Sequence, residues 1–511
     1  MVFRSSWPDL NIPVATLSEV VLGGDLRADH PALVDAVTGA GLTYGELVER
    51  IDHLASGLQA WGLRKGDVVA IYAPNCPEYA VVFHAVAKVG GVNTTANPAY
   101  LAEELAFQLK DAGAVLLVTV PALVARAQEA AQGAAVREVV VIGEVDGLRS
   151  LDELLLEVAP DPVDIDPATD LVALPYSSGT TGLPKGVMLT HTNLVANLLQ
   201  IREAEGADAG GAYIGVLPFF HIYGMVVIMN LGLLRRGTVV TMARFELEPF
   251  LGALQRWPIA LVHVVPPIVL ALAKRPEVDG YDLSGVRWLF SGAAPLGAEL
   301  TEAVQKRLSV EVRQGYGMTE ASPATHIMPP GLRLAGSVGP VLPNTACRIV
   351  DPETGEDRGV GELGEVWVRG PQVMKGYLNN PGATAATVDA DGWLHTGDLG
   401  DVDAGGNLFV RDRLKELIKV RGFQVAPAEL EALLLRHPAI ADAAVVPSPD
   451  EESGEVPLAW IVAREPVTAE QICAFVDEHV AHYKRIKQVR FTEAIPKSAS
   501  GKILRRLLAR S

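Results

Sequence analysis

Tyr176-Ser177-Ser178-Gly179-Thr180-Thr181-Gly182-Leu183-Pro184-Lys185-Gly186 is the stretch on which the reading of this chain turns. It follows an apolar run, 171–174, that predicts the end of a buried strand. Glycines let a backbone take positive φ and approach a ligand closely. Hydroxyls and backbone N–H groups donate to oxyanions, and a lysine adds a point charge. The pattern therefore predicts a cradle for a polyphosphate, expected to be mobile without nucleotide, although a polar surface loop has the same composition. It is not a Walker loop, because Pro184 stands where the second glycine should be.

Outward from this stretch, 511 residues exceed what one core usually holds, so two or three domains are expected. Hydrophobic content of 49% with 20% charged residues fits a soluble globular protein. No apolar run approaches the ~18 residues that a membrane span needs, and the N-terminus, with Pro8, Asp9 and Pro13, does not read as a signal peptide. Cys76, Cys347 and Cys473 have no metal-ligand spacing and suggest free thiols in a reducing cytoplasm. A net charge of −18 argues against nucleic acid as a partner. Residues 484–510 run against that trend, with nine Lys/Arg and one acid, Glu493. Such a tail is either a solvated basic segment or a contact for an anionic ligand.

On both sides of the loop, helical and strand patterns alternate. Thr43 and Glu46 form a helix-start signature for a helix running to about Trp61 and stopping at Gly62. Strands are predicted at 68–72, 115–120 and 136–142, with helices at 78–89 and 103–111. Strands separated by such helices indicate a mostly parallel α/β sheet. The rhythm continues with a helix at 192–203, where Asn193 and Asn197 are surface candidates, and strands at 214–217, 262–266 and 288–290. Between 337 and 410, short β runs punctuated by glycine predict a small antiparallel β unit. The fold class expected is α/β: a large N-terminal domain of mostly parallel sheets with a small β-barrel-like unit, then a small mobile α+β domain. The expected boundaries are 1–411, with the β unit at about 337–411, a hinge at 412–415, and 416–511.

Several clusters carry chemistry. His221 and Tyr223 stand among phenylalanines in 217–224 and suggest a pocket wall. Ser291-Gly292-Ala293-Ala294-Pro295 is a small-residue turn at a strand end, the usual binding edge of an open α/β sheet. In Gln314-Gly315-Tyr316-Gly317-Met318-Thr319-Glu320, two glycines flank a ring that can stack on a base. Thr319 can donate to phosphate there, and Glu320 offers a hard oxygen for Mg²⁺. Asp398, read in a turn after Thr396-Gly397, can accept from two ribose hydroxyls. Residues 411–415 read as a linker, and Lys419-Val420-Arg421-Gly422 as a hairpin. Lys502 follows Gly501 in a Ser/Gly-rich loop near the chain end.

Together these pieces resemble the acyl-adenylate-forming superfamily and, within it, the 4-coumarate–CoA ligases. The resemblance covers essentially the whole chain. Its motifs stand in the family's order: SSGTTGLPKG at 177–186, PFFHIYG at 218–224, SGAAPLG at 291–297, QGYGMTE at 314–320, GWLHTGD at 392–398, DRLKELIK at 412–419, GFQVAPAELE at 422–431 and PKSASGK at 496–502. The resemblance implies ATP, Mg²⁺ and coenzyme A, and a two-step reaction. A carboxylate attacks the α-phosphate of ATP to give acyl-AMP and pyrophosphate, and the coenzyme A thiol then displaces AMP.

By the same resemblance, Ser177, Ser178, Gly179, Thr180, Thr181, Gly182 and Lys185 bind the β- and γ-phosphates. Thr319 contacts the α-phosphate and Glu320 holds the metal. Lys502 stabilises the transition state. Asp398 and Arg413 hold the ribose, Tyr316 and the backbone of Gly292, Ala293 and Ala294 sandwich the adenine, and Gly315 and Gly317 are further ATP-binding residues. Rotation of the small domain about Lys415 implies a second arrangement, with Lys419, Arg421 and Gly422 at the coenzyme A channel, His221 gating it, and Gln424 as a further site residue. Relatives often show KYKG where this chain has Lys419-Val420-Arg421-Gly422, which keeps the charge. The acyl pocket implied comprises Tyr223, Val227, Phe290, Ala293, Gly315, Gly317, Pro323, Ala324 and Thr325.

Bulky Phe290 and small Ala324 favour an aryl-propenoic acid such as 4-coumarate or cinnamate. A medium-chain fatty acyl–CoA ligase, an oxygenase of luciferase type and a catalytically silent adenylate-binding regulator are the alternatives. A monomer or weak homodimer in the cytoplasm is expected, with no nucleic-acid partner and no membrane insertion.

Overall fold

The structure, a computed structural model, describes residues 1–177, 184–206, 211–420, 423–450, 453–498 and 501–508, without the side chains of residues 423, 424 and 506. The expectation of a mobile loop falls on residues 178–183 and lies outside the described residues.

The α/β rhythm forms as the sequence predicts. Thr43 caps the helix Tyr44–Trp61 with Glu46 in a reciprocal capping box, and Gly62 ends it in the left-handed conformation. The strands Val92–Thr95, Val68–Tyr72, Ala114–Thr119 and Glu138–Val141 lie side by side and parallel. This sheet ends in antiparallel pairs, where the strand Lys185–Thr190 joins Leu171–Ala173 and Tyr176–Ser177. A second sheet contains the parallel strands Leu261–Val264, Trp288–Ser291 and Glu311–Gly317, edged by the antiparallel strand Ala324–Ile327. One apolar core runs beneath these sheets, from Leu17 to Tyr377.

The small β unit is a six-stranded sheet, and its first strand, Val2–Arg4, comes from the N-terminus, which the sequence pattern does not reveal. The last part of the chain packs on its own core, which includes Ile418, Leu430, Val445, Ile461 and Val476. No helix among the described residues is long and apolar enough to cross a membrane.

Four expectations change. Asn193 and Asn197 are not at the surface of the helix His191–Glu205; they are 8% and 0% exposed. Asn193 donates to the carbonyls of Pro371 and Val373, and Asn197 grips the backbone of Ala324. An amide that satisfies backbone groups in this way is stable in a core. Asp398 lies in a strand, Leu394–Val402, rather than in a turn. Arg411 and Arg413 belong to the strand Asn407–Arg413, so the expected linker is shorter. The basic tail is not freely solvated: Lys484 pairs with Glu429, Lys497 with Asp442, and Arg505 with Glu416 and Glu431.

Candidate active site

The site opens at the C-terminal ends of the second sheet's parallel strands. Register places Ser291 opposite both Val264 and Gln314, so the turn after Ser291 and the run after Gln314 emerge together. Ala293 takes φ +70°, a left-handed conformation that a side chain resists, at the mouth of that turn. Ala293 and Gly317 are exposed, while Gly292 is buried against the Tyr223 ring. Tyr316 donates to Asp398 Oδ2 at 2.6 Å, and Arg413 Nε stands 3.0 Å from Oδ1. Asp398 is 4% exposed. Burial raises its carboxyl above the ordinary value, against the pull of Arg413 and Tyr316.

Two residues of the expected acyl pocket, Tyr223 and Val227, lie on a buried π-helix, Tyr223–Asn230. Such helices are rare and concentrate at functional sites. Tyr223 donates to the Phe290 carbonyl at 3.2 Å. A Cβ on Gly315 would stand 2.7 Å from Phe290 Cζ, so the absent side chain is what admits the ring. Val227 and Pro323 are buried, and Ala324 is half-buried. Thr325 is buried too, its hydroxyl donating to the Tyr316 carbonyl at 3.2 Å.

Lys502 reaches this site from the last loop. Gly501, at φ +80°, packs so closely that a Cβ would meet Pro267 Cδ at 2.9 Å. Burial and Arg413 push the Lys502 ammonium down to about 8, opposed by Glu416 and Asp398. His221 is pushed down to about 4, first by burial and then by the Lys502 charge. A further cross-contact joins Arg436 to Glu299 at 3.1 Å. His221 and Thr319 line a cavity of about 30 Å³ together with Pro175 and Tyr176.

Around Glu320, Ser177 donates to Oε1 at 3.0 Å. Tyr377 donates to the same oxygen at 2.7 Å, and Lys185 Nζ lies 4.7 Å from the centre of the Tyr377 ring. Both bonds land on Oε1, which leaves Oε2 as a hard donor. One carboxylate oxygen of this kind, completed by phosphates and water, fits Mg²⁺. No cluster of three or more His, Cys, Asp or Glu suited to a metal exists among the described residues.

The structure thus brings Ser177, Lys185, His221, Tyr316, Thr319, Glu320, Asp398, Arg413 and Lys502 to one cleft. It leaves Lys419 exposed on the strand Ile418–Val420, paired with Phe423–Val425, and Lys415 exposed as well. Ser178, Gly179, Thr180, Thr181, Gly182, Arg421, Gly422 and the Gln424 side chain lie outside the described residues. The sequence reading missed Tyr377, and no signal marks it beyond a glycine before a tyrosine. It also missed Asn197 as the support of Ala324.

Comparison with known proteins fits this geometry. The sequence model of the AMP-binding enzyme family matches residues 24–378, and that of the AMP-binding enzyme C-terminal domain matches 429–502. This chain belongs to the AMP-binding enzyme family. It is 44% identical over 521 residues to 4-coumarate–CoA ligase 3 of Oryza sativa subsp. japonica, covering 99% of this chain and 94% of that protein. Among solved structures, ATP-bound MatB from Rhodopseudomonas palustris superposes with a TM-score of 0.89 at 31% identity, covering 98% of this chain and 99% of that one. MatB without ligand gives 0.78 at the same identity and coverage, so the present arrangement is nearer the ATP-bound one. An anthranilate CoA ligase in complex with anthranoyl-AMP gives 0.90 at 25% identity, covering 98% of each chain.

Proposed function

We propose that this chain is an ATP-dependent ligase that adenylates an aryl-propenoic acid and passes the acyl group to coenzyme A. The observation that carries the reading is Lys502, half-buried at the end of the last loop, within electrostatic reach of Asp398, Arg413 and Glu416 and with its charge felt at His221. In the first step a substrate carboxylate oxygen bonds to the α-phosphorus of ATP as the bond to the bridging oxygen breaks and pyrophosphate leaves. Two anions must meet, so alignment and charge stabilisation dominate the barrier. Lys502 supplies a preorganised cation between them. Asp398, held by Arg413 and Tyr316, receives the ribose hydroxyls. Glu320 would hold Mg²⁺, which when bound neutralises phosphate charge.

In the second step the thiolate of coenzyme A attacks the acyl carbon and AMP leaves with the bonding electrons. We assign 412–415 as the hinge and Lys415 as the pivot between 1–411 and 416–511. The separate apolar core after residue 416 and the exposure of Lys415 support this division. Rotation there would withdraw Lys502 and carry Lys419, Arg421 and Gly422 to the cavity beside His221. At pH 7 the low pKa of His221 keeps it neutral, able to orient or gate but not to supply a charge.

Phe290, filling the space over Gly315, favours a flat ring over a flexible chain, and the rice relative's name points to the same acid class. The three unpaired cysteines are consistent with a cytoplasmic enzyme. Thioester formation across a panel of acids tests the reading. Faster turnover of 4-coumarate than of octanoate is expected, and the reverse order would replace the aryl assignment with a medium-chain one.

A further inference from the structure

Tyr377 lies outside every motif the sequence reading used, yet it touches two groups assigned to the phosphates and the metal. It ends the two-residue strand Gly376–Tyr377, which pairs antiparallel with Lys185–Thr190 so that Val187 faces Tyr377 and Met188 faces Gly376. Lys185 is therefore two positions from the residue opposite Tyr377, on the same face. Long and aromatic side chains span that diagonal. The flanking bonds Lys375 N–H to the Met188 carbonyl, 3.0 Å, and Leu378 N–H to the Gly186 carbonyl, 2.9 Å, fix the register.

The segment is built to hold this pose. Gly376 sits at φ +147°, and a Cβ there would strike Thr384 Cγ2 at 2.7 Å. Without it, the Thr384 hydroxyl accepts the Tyr377 N–H at 2.9 Å. The same segment grips Glu320 twice: Met374 N–H donates to the Glu320 carbonyl at 2.9 Å, and the Tyr377 hydroxyl donates to its carboxylate at 2.7 Å. On the other side of the ring, Lys185 Nζ lies 4.7 Å from the centroid. A cation at that distance is drawn to the ring face.

We infer that Tyr377 is a positioning residue for the metal and phosphate end of the site: its hydroxyl turns the Glu320 carboxylate so that Oε2 faces the cation, and its ring seats Lys185. The inference rests on the proposed roles of Glu320 and Lys185. A purely structural tyrosine would fill the core with its ring and leave metal affinity indifferent to the hydroxyl.

The test uses the full-length protein with ATP and no acid, and Mn²⁺ as the probe, its binding followed by electron paramagnetic resonance. Tyr377→Phe is expected to weaken Mn²⁺ binding to the ATP complex about 10-fold, as loss of an outer hydrogen bond to a metal ligand does. Its affinity for metal-free ATP should be unchanged. Tyr377→Leu should in addition weaken metal-free ATP about 3-fold, through Lys185. Thermal unfolding of each variant separates these effects from loss of fold, and Tyr377→Phe alone decides the hydroxyl's role if the leucine variant is unstable. Glu320→Gln marks the underlying reading. If it binds Mn²⁺ like the wild type, the metal role of Glu320 falls and the inference with it. If Glu320→Gln loses the metal while Tyr377→Phe keeps wild-type affinity, only the role of Tyr377 is overturned.

Discussion

Tyr316 and Asp398, 82 positions apart, meet through a 2.6 Å hydrogen bond that joins the second sheet to the small β unit. The same carboxylate takes Arg413 on its other oxygen, so two elements orient one acceptor. A hydrogen bond to a charged group contributes about 1.5–3 kcal/mol. Tyr316→Phe should accordingly weaken ATP binding about 10-fold, read by calorimetry, with little change in the affinity for the acid. Equal weakening of both would place Asp398 away from the nucleotide.

Lys502 carries a second consequence. Its ammonium is pushed down to about 8, and the role proposed for it in adenylation needs it protonated. The kcat/KM for pyrophosphate release, which reports the free enzyme, should hold below that value and fall as pH rises through about 8. Lys502→Arg should remove this alkaline limb even where its absolute rate is lower, because a guanidinium stays charged. His221, at about 4, titrates too low to shape the profile near neutrality.

Docking of the last loop can be probed at Gly501. A Cβ there meets Pro267 at 2.9 Å, and its φ of +80° suits glycine. An alanine in the left-handed region costs about 1–2 kcal/mol before any clash. Gly501→Ala should slow adenylation about 10-fold while sparing thioester formation from preformed acyl-AMP, for which the proposed rotation withdraws Lys502. Equal slowing of both half-reactions would contradict a docking role.

The last domain should also respond to pH. Burial holds the Glu431 carboxyl up at about 7, opposed by Arg505 and assisted by Asp412 and Glu416. A carboxyl raised in the folded state stabilises the fold below its unfolded pKa, and that contribution is lost as pH rises through the folded one. Thermal stability should therefore decline between about pH 5 and pH 8, and Glu431→Gln should flatten the slope. A slope identical in the variant would assign the effect elsewhere.

The elements that were legible in sequence are those set by local chemistry. The capping box at Thr43 and the stop at Gly62 state a helix outright. The close approaches at Gly315, Gly317 and Gly501, where a Cβ would meet Phe290, Pro323 and Pro267, are seen only in the structure. Asn193 and Asn197 misled because an amide on a helix reads as exposed, whereas their backbone partners, Pro371, Val373 and Ala324, lie more than a hundred residues away. Tyr377 was hidden for the same reason: its meaning comes from Glu320 and from the strand opposite, neither of which a two-residue strand announces. The edge strand Val2–Arg4 pairs with residues 346–348, a partner no local pattern specifies.

The most direct test of carboxylate activation at Lys502 is a pair of half-reactions in Lys502→Ala. Pyrophosphate release with 4-coumarate and ATP should fall by about 100-fold or more, as loss of a preorganised charge in the transition state requires. Thioester formation from synthetic coumaroyl-AMP and coenzyme A should remain near the wild-type rate. Unchanged pyrophosphate release in the variant would contradict the assignment of the reaction to this lysine.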